Sequence, residues 1–169
     1  MNWWLNPLVM VTFFPMVGAI LIALVSREQA RLIRWLALGT TLITLGLSIW
    51  LLTQFNPGRG DFQLLVDLPW FQLGRLGVRF LLGVDGVSLL MVLLTALLTP
   101  LAILSTWKAV GEHVKLFMIF FLLLETGMLG VFLALDLVLF FLFWEFTLIP
   151  MYLLIGVWGG EKRIYAAIK

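Results

Sequence analysis

Apolar residues fall along this chain in five long runs, each set off by a short cluster of charges, glycines or prolines. The first is Pro7 to Val25, PLVMVTFFPMVGAILIALV, followed by the basic turn SREQARLIR. The others run from about Ile33 to Phe55, Gly86 to Trp107, Leu116 to Leu135 and Leu137 to Trp158. At about 1.5 Å per helical residue, ~20 residues cross a hydrocarbon core of ~30 Å. The pattern predicts an all-α, polytopic transmembrane bundle of five spans. The tail GGEKRIYAAIK reads as the start of a sixth helix, so 1–169 is expected to be a single membrane domain from a longer protein. No Lys or Arg precedes the first run, which therefore reads as a retained helix with Trp3 and Trp4 at the interface.

Residues 56–85 break the rhythm. Gly, Pro and charges return in NPGRGDF, then Phe62, Leu64, Val66 and Leu68 alternate with other residues, as do Val78, Phe80 and Leu82. Period two in two short runs fits a small external β-hairpin at 62–82; an irregular amphipathic loop would carry the same pattern. Asp85 stands where the third helix needs an N-cap, and Pro100 interrupts that helix's hydrogen bonding.

Composition narrows the class. The chain is 63% hydrophobic and 12% charged, against about 45–50% and about 25% in soluble domains. A net charge of +2 with no basic patch gives nucleic acid nothing to bind; the bilayer and other membrane chains are the expected partners. No Cys and a single His exclude Cys-ligated iron–sulfur clusters, disulfides and a His/Cys metal site. If five spans alternate, Arg27, Arg31, Arg34, Lys108, Lys115, Lys162, Arg163 and Lys169 share one side, and Arg59, Arg75 and Arg79 the other. The positive-inside rule then puts the N-terminus outside and the tail in the cytoplasm of a cell membrane.

Two carboxylates lie at membrane depth. Glu145 is the one charge in the fifth run, near its middle; Glu125 lies in the fourth. Asp136, between the runs, follows Glu125 by eleven residues and precedes Glu145 by nine, which sets both at a similar depth in an antiparallel pair. An acid there costs on the order of 2.5–3.5 kcal/mol, so it normally turns toward protein or water and marks function. A carboxyl taken out of water favours its neutral form, and a nearby ammonium favours the ionised form. Such a pair loads and releases a proton. Glu145 is the stronger candidate for this role and Glu125 the weaker. Pro150 has no N–H for the Phe146 carbonyl and so opens the helix beside Glu145, while Tyr152 shares its face and could extend a path or anchor the interface. Asp136 reads as a helix cap with a lesser claim to a proton exit. His113 reads as a solvated loop histidine, and Gly127 and Gly130 as sites of close helix packing.

The segments WEFTLIPMYLLIGVWGGEKRIYAAIK, GVDGVSLLMVLLTALLTPLAILSTWK and ETGMLGVFLALDLVLFF together resemble the antiporter-like membrane subunits of proton-pumping NADH:quinone oxidoreductase, respiratory complex I. The form Trp-Glu-x-x-x-Ile-Pro-Met-Tyr at Trp144–Tyr152 favours the subunit M (chain 4) branch over the related N and L branches. The resemblance implies about fourteen helices with two inverted five-helix repeats, of which this chain would hold the first three helices and two of the first repeat. It implies that Glu145 is the family's essential glutamate, paired with a lysine from a later helix. Glu125 matches some members only. NADH, FMN, iron–sulfur clusters and quinone would be bound by other subunits, and this chain would carry no cofactor or metal and no redox chemistry of its own. Two other readings stand beside it: a subunit of a multi-component sodium/proton antiporter, and a structural membrane anchor with no proton path.

Overall fold

The computed structural model describes residues 3–73, 76–160 and 163–168. Among the described residues, five helices are long and apolar enough to cross a membrane: α1 (Pro7–Leu24), α2 (Ala30–Gln54), α3 (Gly86–Ser105), α4 (Val114–Leu133) and α5 (Leu137–Trp158). A short α6, Arg163–Ile168, packs back on α5. Between α2 and α3 the chain forms an antiparallel hairpin, β1 (Gln63–Leu73) and β2 (Leu76–Val84), so the amphipathic-loop reading fails. Residues 74 and 75 lie outside the described residues, as do Lys162 and Lys169.

The helix starts are written in local chemistry. Asn6 caps α1 by accepting from the Leu8 amide at 2.9 Å, with Pro7 in the first helical position, where its missing N–H costs nothing. Asp85 and Ser88 form a capping box at α3; the Ser88 amide donates to Asp85 Oδ1 at 2.7 Å. Asp136 caps α5, accepting from the amides of Val138 and Leu139.

α4 ends at Leu133, two residues earlier than its apolar run. The cause is tertiary. Ala134 bridges Leu82, and the Leu135 amide donates to the Leu81 carbonyl at 2.9 Å, which holds the α4–α5 connection extended along the free edge of β2. Three residues, rather than Asp136 alone, therefore separate the two helices.

β1 takes one extra residue at each of two register shifts, between Gln63 and Val66 and between Pro69 and Phe71. In the first of these bulges Leu64 has φ 57°, a left-handed conformation that usually goes to glycine. Its carbonyl accepts from Asn6 Nδ2 at 3.0 Å, so the side chain that caps α1 also clamps the hairpin. Val66, Val78, Leu82 and Val84 are buried against the helices, while Asp67 and Arg79 pair on the outer face at 2.7 Å.

At the opposite end lie Arg27, Arg31, Arg34, Lys108, Lys115 and Arg163, in or beside the loops. Two of these cations knit the loops together. Lys115 Nζ donates to the carbonyls of Ala23 and Val25 at 2.8 and 2.7 Å, satisfying the last turn of α1, where a cation also suits the helix dipole. Arg34 Nη2 donates to the Val110 carbonyl at 2.7 Å.

The interior is split in two. One apolar cluster, next to the hairpin, gathers Leu8, Val11, Leu51, Val92, Leu129 and Leu133. A second, next to the basic end, gathers Ala19, Ile22, Ile33, Leu38, Ile103 and Leu122. On each of the first four helices the buried polar residues fall between the two clusters: Thr12 on α1, Thr40, Thr41, Thr44 and Ser48 on α2, Thr99 on α3, Glu125 and Thr126 on α4.

Candidate functional site

The seam between α4 and α5 is built from missing side chains. A Cβ on Gly127 would stand 2.5 Å from Thr147 Cγ2, and one on Gly130 would run into the Phe143 ring. Small residues allow such close approach in lipid, where helices associate through packing rather than hydrophobic exclusion. The seam fixes how α5 is turned about its axis: Phe143 and Pro150 are buried, and Thr147 lies on the same side. Successive helical residues turn by about 100°. Glu145, two residues after Phe143 and two before Thr147, therefore points away from α4 and is exposed. Phe141, Leu148, Ile149 and Tyr152 share that outward face and are exposed too. A membrane-depth acid was expected to turn toward protein; within this chain Glu145 turns away from the other four long helices.

Glu125 is the reverse case. It is 0% exposed, and neither carboxylate oxygen has a hydrogen-bond partner. Gly127 faces α5, and Glu125, about 200° round the helix from it, faces the interior. Thr99 on α3 is its polar neighbour, with the hydroxyl proton given to the Thr95 carbonyl at 2.8 Å. Gly127 lies level with Phe146 and Thr147, so Glu125 and Glu145 are within about a helical turn of the same depth. They are not brought together, because the α4–α5 seam lies between them.

The remaining candidates have structural partners or stand exposed. Asp136 uses one oxygen to cap α5, and its other oxygen accepts from the Arg79 amide at 3.4 Å, tying the cap to the hairpin. Pro150 is buried on the seam side of α5, and Tyr152 is exposed two turns beyond Glu145 on the outward face. His113 is exposed, with φ 51°, at the start of α4, and its side chain caps nothing. Between α1, α5 and the hairpin a cavity of about 330 Å³ is lined by Phe13, Met16, Phe80, Leu142 and Phe146, with Thr126 as its polar side chain.

The sequence reading missed the hydroxyl layer and the role of Lys115. The layer had a signal: Thr40, Thr44 and Ser48 recur every fourth residue in an apolar run, which puts them on one helix face. Lys115 had none, since its partners lie on a helix some ninety residues earlier.

Residues 134–169 match the family described as NADH:quinone oxidoreductase/Mrp antiporter, TM. NADH-quinone oxidoreductase subunit M of Rhodobacter capsulatus is 48% identical over 168 residues, covering 97% of this chain and 32% of that protein. The chloroplastic NAD(P)H-quinone oxidoreductase chain 4 of Chlorokybus atmophyticus is 42% identical over 163 residues, 96% of this chain and 31% of that one. Among solved structures, respiratory complex I from Thermus thermophilus with bound NADH superposes with a TM-score of 0.73 at 27% identity, covering 95% of this chain and 31% of the matched one. The archaeal membrane-bound sulfane sulfur reductase shares the fold, with a TM-score of 0.73 at 21% identity, over 96% of this chain and 24% of its own. The chain thus spans about a third of the length of the curated relatives it matches.

Proposed function

We propose that this chain, which over nearly its whole length resembles about a third of subunit M of NADH:quinone oxidoreductase, is part of a proton-translocating, antiporter-like membrane subunit of that complex. The observation that carries the reading is Glu145. It is the single charge on α5, near mid-span, and the glycine seam holds it on an otherwise apolar, outward helix face. An acid left in hydrocarbon costs on the order of 2.5–3.5 kcal/mol, so a face that carries one is a face for more protein. In this reading, helices following α6 cover it and bring a lysine to Glu145. When the ammonium approaches, the carboxyl releases its proton; when it withdraws, the carboxyl takes one up. The lysines described here do not serve, since Lys108 and Lys115 lie at the basic end and Lys115 is bound to α1.

Quinone reduction in other subunits, which bind NADH, FMN, iron–sulfur clusters and quinone, drives that movement; this chain does no redox chemistry. The basic end faces the cytoplasm and the hairpin faces out, by the excess of Lys and Arg. The test is Glu145→Gln in the full-length protein. The complex should assemble and oxidise NADH, while the proton gradient it builds is severely reduced. An unchanged gradient would leave Glu145 as a helix-bonding residue in a structural anchor. A second reading has one support: the matched family also covers Mrp antiporters. It would be favoured if proton flux needed sodium and no electron donor.

A further inference from the structure

The Glu145 reading uses only the outward face of α5 and leaves the acid inside the bundle without a role. We propose that Glu125 and the hydroxyl layer around it form a buried water-binding site that holds a proton within the α1–α4 bundle, on the opposite side of α4 from Glu145. The inference stands independently of the Glu145 reading.

Donors and acceptors do not balance in this layer. Thr12, Thr44, Ser48, Thr99 and Thr126 each give the hydroxyl proton to a carbonyl one turn back, at 2.7, 3.0, 2.9, 2.8 and 3.1 Å. Thr40 and Thr41 do the same toward Leu36 and Leu38. Each oxygen keeps lone pairs but has no proton left to offer. Pro15 and Pro100, both buried at this level, also withhold an N–H from the carbonyls of Val11 and Ala96. The layer is rich in acceptors and poor in donors. A carboxylate accepts only and finds no partner there, as its two orphan oxygens record. A protonated acid and a water both supply the missing donors, and buried polar groups left without partners are the usual place for an internal water.

Among the described residues no cation pairs with the acid. α1 and α3 carry no titratable side chain, and α2 carries only Arg31 and Arg34. Arg34 lies seven residues, about 10 Å along the axis, before Thr41, and its guanidinium is turned to the Val110 carbonyl. On α4, Lys115 is held at the far end of the helix; on α5, Glu145 and Tyr152 face outward; Arg79 of β2 pairs with Asp67. At rest Glu125 is the neutral acid, donating to water held against Thr99, its polar neighbour on α3. In exchange, the acid O–H breaks as the water oxygen gains that proton, while one of the water's own O–H bonds breaks and its proton joins the other carboxyl oxygen, so acid and water both end neutral. One proton moves each way and no electron does.

The experiment uses the assembled full-length complex in lipid vesicles. Infrared spectroscopy in H2O and in D2O, with carboxyl-labelled glutamate to identify the band, is run on the unmodified protein, Glu125→Gln and Glu145→Gln. The inference expects a protonated-acid carbonyl band that shifts in D2O, is lost in Glu125→Gln and persists in Glu145→Gln. It also expects Glu125→Gln to lower protons moved per NADH by half or more. A band that is absent, or that does not exchange with D2O, would overturn the site even if Glu125→Gln failed to assemble. An exchanging band with unchanged proton transport in Glu125→Gln would overturn its part in holding a transported proton. Failure of Glu145→Gln to affect pumping would count against the Glu145 reading alone.

Discussion

Gly130 and Phe143 set the direction in which α5 presents Glu145, and a double-mutant cycle measures that contact. Replacing Gly130 by Ala drives a methyl into the Phe143 ring. Overpacking of this kind costs ~1–3 kcal/mol, while exchanging a helix-interior Gly for Ala returns about 1 kcal/mol. The single change should thus destabilise by roughly 0–2 kcal/mol. Phe143→Leu removes part of a ring that is 9% exposed. It should cost on the order of 1–2 kcal/mol through lost packing and the space left behind. In the double variant the new methyl occupies part of that space. The two changes should then couple favourably by about 1–2 kcal/mol, well above the ~0.5 kcal/mol scatter of independent sites. The assay is reversible unfolding of the full-length protein in mixed detergent micelles. Additive costs would refute the reasoning, since the ring could not then be resting on Gly130, and the outward setting of Glu145 would lose its cause.

Two further expectations concern the hairpin end. Asn6→Ala removes both the α1 cap and the donor to the Leu64 carbonyl, at ~0.5–2 kcal/mol for the first and ~1–3 kcal/mol for the second. Asn6→Ser keeps a neutral cap acceptor and loses the donor to Leu64, so it should cost less, and an unfolding free energy lower in Asn6→Ser than in Asn6→Ala would contradict this. The amide of Ser88 holds the Asp85 carboxyl below the ordinary value of 3.8. Because the folded value is the lower one, the cap's contribution is complete above about 3.8 and fades as pH falls through the folded value. Acid unfolding of Asp85→Asn should therefore lose its dependence on that step, while its stability at neutral pH falls by no more than ~1 kcal/mol, since Asn also caps.

The five helices were legible because each apolar run is long and bounded, and α5 matches its run from Leu137 to Trp158. The hairpin was half legible. Alternation marked Val66, Val78, Phe80 and Leu82, but the two bulges in β1 come from pairing with β2 and from the Asn6 clamp, neither of which is local. The end of α4 was misplaced for the same reason, as β2 draws Ala134 and Leu135 out of the helix. At the site, depth could be counted from Asp136, but direction could not. Which way Glu125 and Glu145 point depends on two glycines meeting Phe143 and Thr147 across the seam, a contact between helices that no single-helix pattern contains.

The central claim is that further protein covers the outward face of α5 around Glu145. These 169 residues contain no Cys, so a Cys introduced among them is read against the same complex without it. Ile149 lies one turn beyond Glu145 on the same face and is 64% exposed in this chain; Leu90 on α3, 61% exposed, serves as the reference. Each is replaced by Cys in the full-length protein within its assembled complex, and labelling by a lipid-soluble maleimide is measured in native membranes. The account predicts that Ile149→Cys is protected well beyond Leu90→Cys. Labelling of Ile149→Cys as fast as or faster than Leu90→Cys would place Glu145 against lipid and contradict it.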